Sequence, residues 1–155
     1  MASTFTNLIY HIVYSTKYRQ ALIGPDIREE LYRYIGAIIR ENHGIQLEIG
    51  GAFDHVHILA KLSPTIAIAD VLRLIKSNSS KWVNEQSGFR GRFEWQTGYA
   101  AFTVSQSQIP VVTRYIQTQE LHHRRKSFKD EFLELLKRHQ VEFDERYVFE
   151  EEHIA

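Results

Sequence analysis

Three patterns in this 155-residue sequence predict an α+β fold: short apolar runs that alternate with period two, two long segments whose apolar residues recur at helical spacing, and the order in which the two kinds follow one another. Asn7–Ser15 alternates as a first strand and is closed by the polar stretch STKYRQ. GPDIREELYRYIGAIIRENHG then reads as a helix, with Pro25 in its opening turn, acids early, an apolar stripe of Ile27, Leu31, Tyr34 and Ile38, and Gly44 at its end. Ile45–Ile49 is a second strand, the Gly50-Gly51 region a turn, and His55–Leu62 a third strand that pairs with the second as a hairpin. After Pro64, IADVLRLIKSNSSKWVNEQ carries Ile68, Val71, Leu72, Ile75 and Trp82 on one helical stripe that ends before Gly88, and Ala100–Val104 is a fourth strand. The order β-α-β-β-α-β is that of a ferredoxin-like (RRM-like) sheet, with both helices on one face and the other face open.

A further helix is expected in SQIPVVTRYIQTQELHHRRKS, capped by Ser107, with Pro110 tolerated in its first turn and the basic cluster at its C-terminal end. Val112, Ile116 and Gln119 share a stripe with Tyr115 and His122 on its edge, which makes Tyr115 and Gln119 neighbours one turn apart. FKDEFLELLKRH is a last amphipathic helix built on Phe128, Phe132, Leu135 and Leu136. The expected organisation is one domain over 1–155: a core at 1–105, C-terminal helices at 107–140 and an acidic tail at 142–155.

With 43% hydrophobic and 12% aromatic residues the chain can bury one sizeable core. It has no cysteine, so disulfides and thiolate metal sites are excluded, and any metal is held by His, carboxylate, amide or water. No apolar run reaches the roughly 20 residues of a membrane span, and the N-terminus lacks the basic start of a signal peptide, so the expectation is a cytoplasmic protein without a membrane partner. The formal net charge of zero hides an asymmetry. Residues 142–155 hold six of the 19 acids and one of the 19 bases, leaving 18 bases against 13 acids, a net of +5, on residues 1–141.

The chemistry centres on DHVHILAKL. Alternation sets His55, His57, Leu59 and Lys61 on one strand face and Val56, Ile58, Ala60 and Leu62 on the other, so two imidazoles face the side opposite the helices. Such a pair can grip one divalent ion from one side and leave positions for an oxygen ligand and a substrate phosphate. An HxH triplet alone is more often incidental, and a lone tyrosine at the margin of an apolar stripe is usually a core-edge residue.

Their combination with the rest of the chain is more specific. STKYR at 15–19, DHVH at 54–57, LIKSNSSKW at 74–82, FEWQTGYAAFTVS at 93–105, YIQTQELHHRRKSFKDEF at 115–132 and FDERYVF at 143–149 together resemble the single-tyrosine HUH transposases of small bacterial and archaeal insertion sequences. The resemblance spans nearly the whole chain in order. It implies His55 and His57 as metal ligands, Tyr115 as nucleophile, Gln119 as a further ligand, and a homodimer acting on single-stranded DNA hairpins at element ends. The implied reaction is metal-assisted attack of Tyr115 on DNA through a 5′-phosphotyrosine intermediate, with rejoining that needs no nucleotide cofactor. No general base is evident from the residues. His with oxygen ligands suits Mg²⁺ or Mn²⁺ and does not choose between them.

Lys76, Lys81, Arg124 and Arg125 are candidate phosphate contacts. Trp82 and Trp95 are expected in the core rather than under a base, and the adjacent His122 and His123 diverge by about 100° on a helix, which makes them poor joint ligands and surface or DNA-facing residues. His11 and Glu48 can join the histidine face, and Asp54 is either a partner behind His55 or a strand-entry residue. Because its helix lies outside the closed core pattern, Tyr115 is expected to serve the histidine pair of the other subunit. Two alternatives stand beside the transposase: a non-catalytic, RRM-like single-strand binder, and a domesticated nickase of repeated hairpins.

Overall fold

The computed structural model describes residues 3–149 except Arg124, and within that range leaves aside the side chains of Glu120 and His122. Four strands, β1 (Leu8–Ser15), β2 (Ile45–Gly51), β3 (His55–Leu62) and β4 (Ala100–Thr103), form an antiparallel sheet in the order β2-β3-β1-β4. The central pair β1/β3 sets Val13 opposite His57 and Ser15 opposite His55. The order is that of a ferredoxin-like sheet, as the alternation of elements predicts.

One face is covered by α1 (Pro25–Glu41) and α2 (Ile68–Asn84). Ile12 and Tyr14 of β1 and Val56, Ile58 and Ala60 of β3 meet Leu31, Ile35 and Ile39 of α1 and Val71, Leu72 and Ile75 of α2 there, all buried. This is the face that alternation assigns to the core. Both tryptophans belong to it: the Trp95 indole donates to Ser79 Oγ at 2.9 Å, and Trp82 stacks on Tyr34 with centroids 5.4 Å apart.

The opposite face, expected to be open, is roofed by α3 (Ile109–Gln117), α4 (Gln119–His123) and α5 (Phe128–Arg138). Ile9 and Leu59 point to that side and are apolar, so leaving them wet is costly; Ile116 and Val112 of α3 cover them. Beside them Val13 and Phe102 pack on Phe128, Phe132, Leu135 and Leu136 of α5. The single helix expected through Tyr115 is broken at Thr118, whose hydroxyl bonds back to the carbonyls of Arg114 and Tyr115 and competes with helix continuation. Ser107 is not its cap: the residue lies in a 3₁₀ turn, its hydroxyl pairs with Ser105 Oγ, and Gln108 precedes α3 without a side-chain cap. Ser127 does cap α5, accepting from the Asp130 amide.

One close approach fixes the roof. Gly50 of β2 pairs with His57 across the sheet, and a Cβ on Gly50 would lie 2.7 Å from the Ile116 carbonyl oxygen. Only glycine lets α3 settle this near the sheet, which brings Tyr115, next in sequence to Ile116, over the histidines. Among the described residues no helix is long and apolar enough to cross a membrane.

Candidate active site

Strand β3 delivers His55 and His57 fully buried on the roofed face, two residues apart. Each imidazole is held from behind through Nδ1. His55 Nδ1 lies 2.7 Å from Asp54 Oδ1, and His57 Nδ1 lies 2.8 Å from Nε2 of His11, which β1 places on the same face. Both Nε2 atoms point inward. There α4 and α5 supply Gln119, whose Oε1 is 3.0 Å from His55 Nε2, and Glu131, whose Oε1 is 3.1 Å from His57 Nε2 and 3.7 Å from His55 Nε2. The Phe128 ring stacks on His55 with centroids 4.5 Å apart and closes that side to water.

Glu131 is the hub. It is 4% exposed, and its second oxygen, Oε2, accepts from the Tyr115 hydroxyl and, at 3.1 Å, from Gln119 Nε2. His123 Nε2 lies 3.2 Å from Glu131 Oε1 and 3.1 Å from Gln119 Oε1. Tyr115 crosses His57 and His11 edge-on, with centroids 5.6 and 6.0 Å apart. A cleft of about 720 Å³ opens beside it, with Arg125, Lys126 and Arg138 on the rim and Tyr115, His123 and Glu131 inside.

Burial pulls His11 down to about 3 and His57 down to about 4, each further lowered by a neighbouring imidazole, so both stay neutral near pH 7. Burial alone would raise the Glu131 carboxyl, but hydrogen bonds from His123, His57 and Tyr115 hold it well below the usual carboxylate range. The Tyr115 hydroxyl is pushed up, first by burial and then by the negative charge of Glu131.

The donor set fits a divalent cation. Asp54 accepts at His55 Nδ1, which leaves His55 Nε2 as the atom that would face an ion beside the oxygens of Gln119 and Glu131. His55, His57 and Glu131 each offer a ligand atom, all within 4.8 Å of one another. Ligands about 2.1 Å from an ion and at right angles are about 3.0 Å apart, the spacing of the shorter contacts here. Two nitrogens and carboxylate or amide oxygens suit Mg²⁺, Mn²⁺ and similar ions alike.

The sequence-predicted residues His55, His57, Tyr115 and Gln119 thus meet in one buried cluster. In the single chain described, α3 lies on its own sheet and the four meet there. Arg125 is exposed on the cleft rim. Lys76 is elsewhere: its ammonium donates to the carbonyls of Gln96, Thr97 and Gly98 and lies over the rings of Tyr14 and Tyr99, so its donors anchor a loop. Lys81 is exposed on α2, 4.0 Å from Glu85. Arg124 lies outside the described residues. Glu48 shares the histidine face, paired with Leu59, but lies away from the imidazoles and accepts from Gln117 of α3 at 3.1 Å. Asp54 and His11 stand behind the histidine pair. Sequence reading passes over Glu131 and dismisses His123. The spacing of four that links Tyr115, Gln119 and His123 is a usable signal for the histidine; Glu131 has none, because its place depends on how α5 folds back.

Residues 4–119 match the family described as IS200-like transposases. The transposase for insertion sequence element IS200 of Salmonella typhimurium is 34% identical over 122 residues, covering 72% of this chain and 76% of its own length. The ISDra2 transposase TnpA of Deinococcus radiodurans is 25% identical over 117 residues, covering 72% and 84%. A REP-associated tyrosine transposase, solved bound to a REP hairpin, shares the fold with a TM-score of 0.61 at 12% identity, over 79% of this chain and 72% of that one.

Proposed function

The chain belongs to the IS200-like transposase family, and we propose that it cleaves and rejoins single-stranded DNA at the hairpin-bearing ends of an insertion sequence, with Tyr115 as nucleophile. The observation that carries this reading is the Tyr115 hydroxyl held on Glu131, the carboxylate that also faces His57. Tyr115 oxygen bonds to the scissile phosphorus as the bond from phosphorus to the 3′ oxygen breaks; the phenol proton passes to water and the 3′ oxygen takes one from water. The products are a free 3′-hydroxyl and a 5′-phosphotyrosine. Attack of a 3′-hydroxyl on that ester reverses the step and joins strands without a nucleotide cofactor.

His55, His57, Glu131 and Gln119 would hold a divalent ion, Mg²⁺ or Mn²⁺. When bound there, the ion supplies charge neutralisation at the phosphate undergoing in-line attack. Asp54 and His11 orient the two imidazoles through Nδ1, the supporting contact that metal-binding histidines require. Without a cation, burial and the Glu131 charge keep Tyr115 protonated and a poor nucleophile. Phe128 excludes water from the His55 side. Arg125, Arg124 and Lys81 contact DNA phosphates, and Lys76 acts through the loop it anchors.

The chain works as one domain in the cytoplasm, as a homodimer in which each subunit completes its own site. Incubating it with labelled single-stranded hairpins and Mg²⁺ or Mn²⁺ tests the reading. Metal-dependent nicking that leaves a 3′-hydroxyl and disappears in the His55→Ala/His57→Ala variant is the expected result. Tight hairpin binding without nicking under either ion contradicts it and favours the RRM-like binder. Mixing that double variant with Tyr115→Phe should restore no cleavage; recovery would mean that tyrosines are exchanged between subunits.

A further inference from the structure

The turn after β1 carries a backbone anomaly. Tyr18 (φ 57°) and Arg19 (φ 55°) are consecutive non-glycine residues in the left-handed region, which L side chains disfavour and glycine accepts freely. Neighbours hold the turn in place: the Thr16 amide donates to the Asp54 carbonyl at 2.8 Å, Thr16 Oγ1 to the Gln20 carbonyl at 2.6 Å, and the Lys17 amide to the Glu94 carbonyl at 2.8 Å. The Arg19 guanidinium is folded back 4.1 Å over the Phe149 ring. Strain that the surroundings over-determine in this way concentrates at functional sites. What it holds up is an aromatic ring: Tyr18 is 47% exposed, with the Lys17 ammonium 5.6 Å from its centroid.

The turn adjoins the site. Ser15, three residues before Tyr18, pairs with His55, and Thr16 bonds to the carbonyl of Asp54, whose carboxylate supports His55. On its other side the turn borders a shallow groove of about 580 Å³ between α2 and the 92–97 loop, lined by Lys17, Lys81, Arg92, Ser77, Ser80 and Asn84. Lys76 adds charge there, and the acid present, Glu94, is shared by Lys17 at 3.2 Å and Arg92 at 2.7 Å. Such exposed ion pairs are weak, and a phosphate can take over the cations.

We infer that the Tyr18 ring is a stacking platform for an unpaired base next to the cleavage site, and that the same single DNA strand runs its phosphates along the groove beside Lys17, Lys81 and Arg92. A cationic track joined to an exposed aromatic face is what binds single strands without reading sequence; a duplex hides the base faces that the ring needs. The inference rests on the reading of this chain as an enzyme of single-stranded DNA.

Fluorescence anisotropy with labelled oligothymidylate, and with its duplex with oligoadenylate, tests it. Tyr18→Ala should bind the single strand roughly tenfold more weakly, Tyr18→Phe about as tightly as the unchanged chain, and neither should alter duplex binding. Lys17→Ala and Lys81→Ala should each reduce the slope of log affinity against log salt by about 0.7. Tyr18→Gly separates function from folding: it removes the ring and the strain together, so binding falls while Tm holds or rises, whereas a purely structural tyrosine would lower Tm. Equal single-strand binding by Tyr18→Ala, with unchanged salt slopes in the lysine variants, overturns the inference alone. If the unchanged chain binds neither oligothymidylate nor single-stranded hairpins, the functional reading beneath it falls as well.

Discussion

Replacing Gly50 with alanine drives a methyl group into the backbone of α3. The new Cβ would lie 2.7 Å from the Ile116 carbonyl oxygen and 2.8 Å from its Cγ2, where about 3.5 Å is comfortable, so α3 must retreat by roughly 0.7 Å. Two terms oppose one another in stability. Alanine in a strand gains about 0.5–1 kcal/mol over glycine, while overpacking costs about 1–3 kcal/mol, which leaves a net loss of about 1–2 kcal/mol and a Tm lower by several degrees. The effect on chemistry is larger. Tyr115 precedes Ile116, so its hydroxyl moves with the helix, and a misplacement of about 1 Å costs up to about a hundredfold in rate; roughly tenfold or more is expected here. Single-turnover cleavage of a hairpin, measured beside thermal denaturation, checks both numbers. Cleavage at the unchanged rate by a Gly50→Ala chain of unchanged Tm would refute the account of how α3 positions the tyrosine.

Glu131→Gln keeps the shape of the hub and removes its charge. Calorimetric titration should give Mn²⁺ binding at least tenfold weaker, and the metal-free protein should also lose stability, because the fold favours the charged carboxylate and an amide nitrogen replaces one of its acceptor oxygens; unchanged Mn²⁺ affinity would exclude Glu131 as a ligand. Stability of the metal-free protein should fall on acidification between pH 6.5 and about 4. The fold keeps His11 and His57 neutral down to about 3 and about 4, so an unfolded chain takes up their protons first, near pH 6.5, and each histidine adds about 1.4 kcal/mol of loss per pH unit across that window. Thermal denaturation in EDTA across this range reads the slope, and a flat profile contradicts the burial argument.

Local pattern carries a good part of this architecture. Strand β3 was legible to the residue, because Val56, Ile58 and Ala60 alternate with His55, His57 and Leu59, and each set has a different wall to meet. The helical stripe through Val112, Ile116 and Gln119 likewise identified the face of α3 that lies on the sheet. What local pattern does not carry is how the C-terminal helices return. The break at Thr118 comes from a side-chain hydroxyl bonding to its own backbone, and the turn before α5 brings Glu131 back to Tyr115 across 16 residues of chain. Glu131 reads in sequence as an ordinary acid in the first turn of an amphipathic helix, and its burial is a tertiary fact. The reading of His123 failed for a related reason: α4 turns toward the sheet, which brings His123 to 13% side-chain exposure beside the Glu131 carboxylate. Lys76 stands in a basic cluster of the sequence, and only the fold shows that its ammonium donates to three carbonyls of one loop.

In the proposed reaction the Tyr115 hydroxyl oxygen attacks DNA. Trapping the chain on a nicked single-stranded hairpin in Mg²⁺ or Mn²⁺, digesting the protein and locating the nucleotide by mass spectrometry tests this most directly. A phosphodiester-derived mass on Tyr115, absent from the Tyr115→Phe chain, is the predicted result. The same mass on Tyr18, Tyr99 or Tyr147, or nicking by Tyr115→Phe at the unchanged rate, would contradict it.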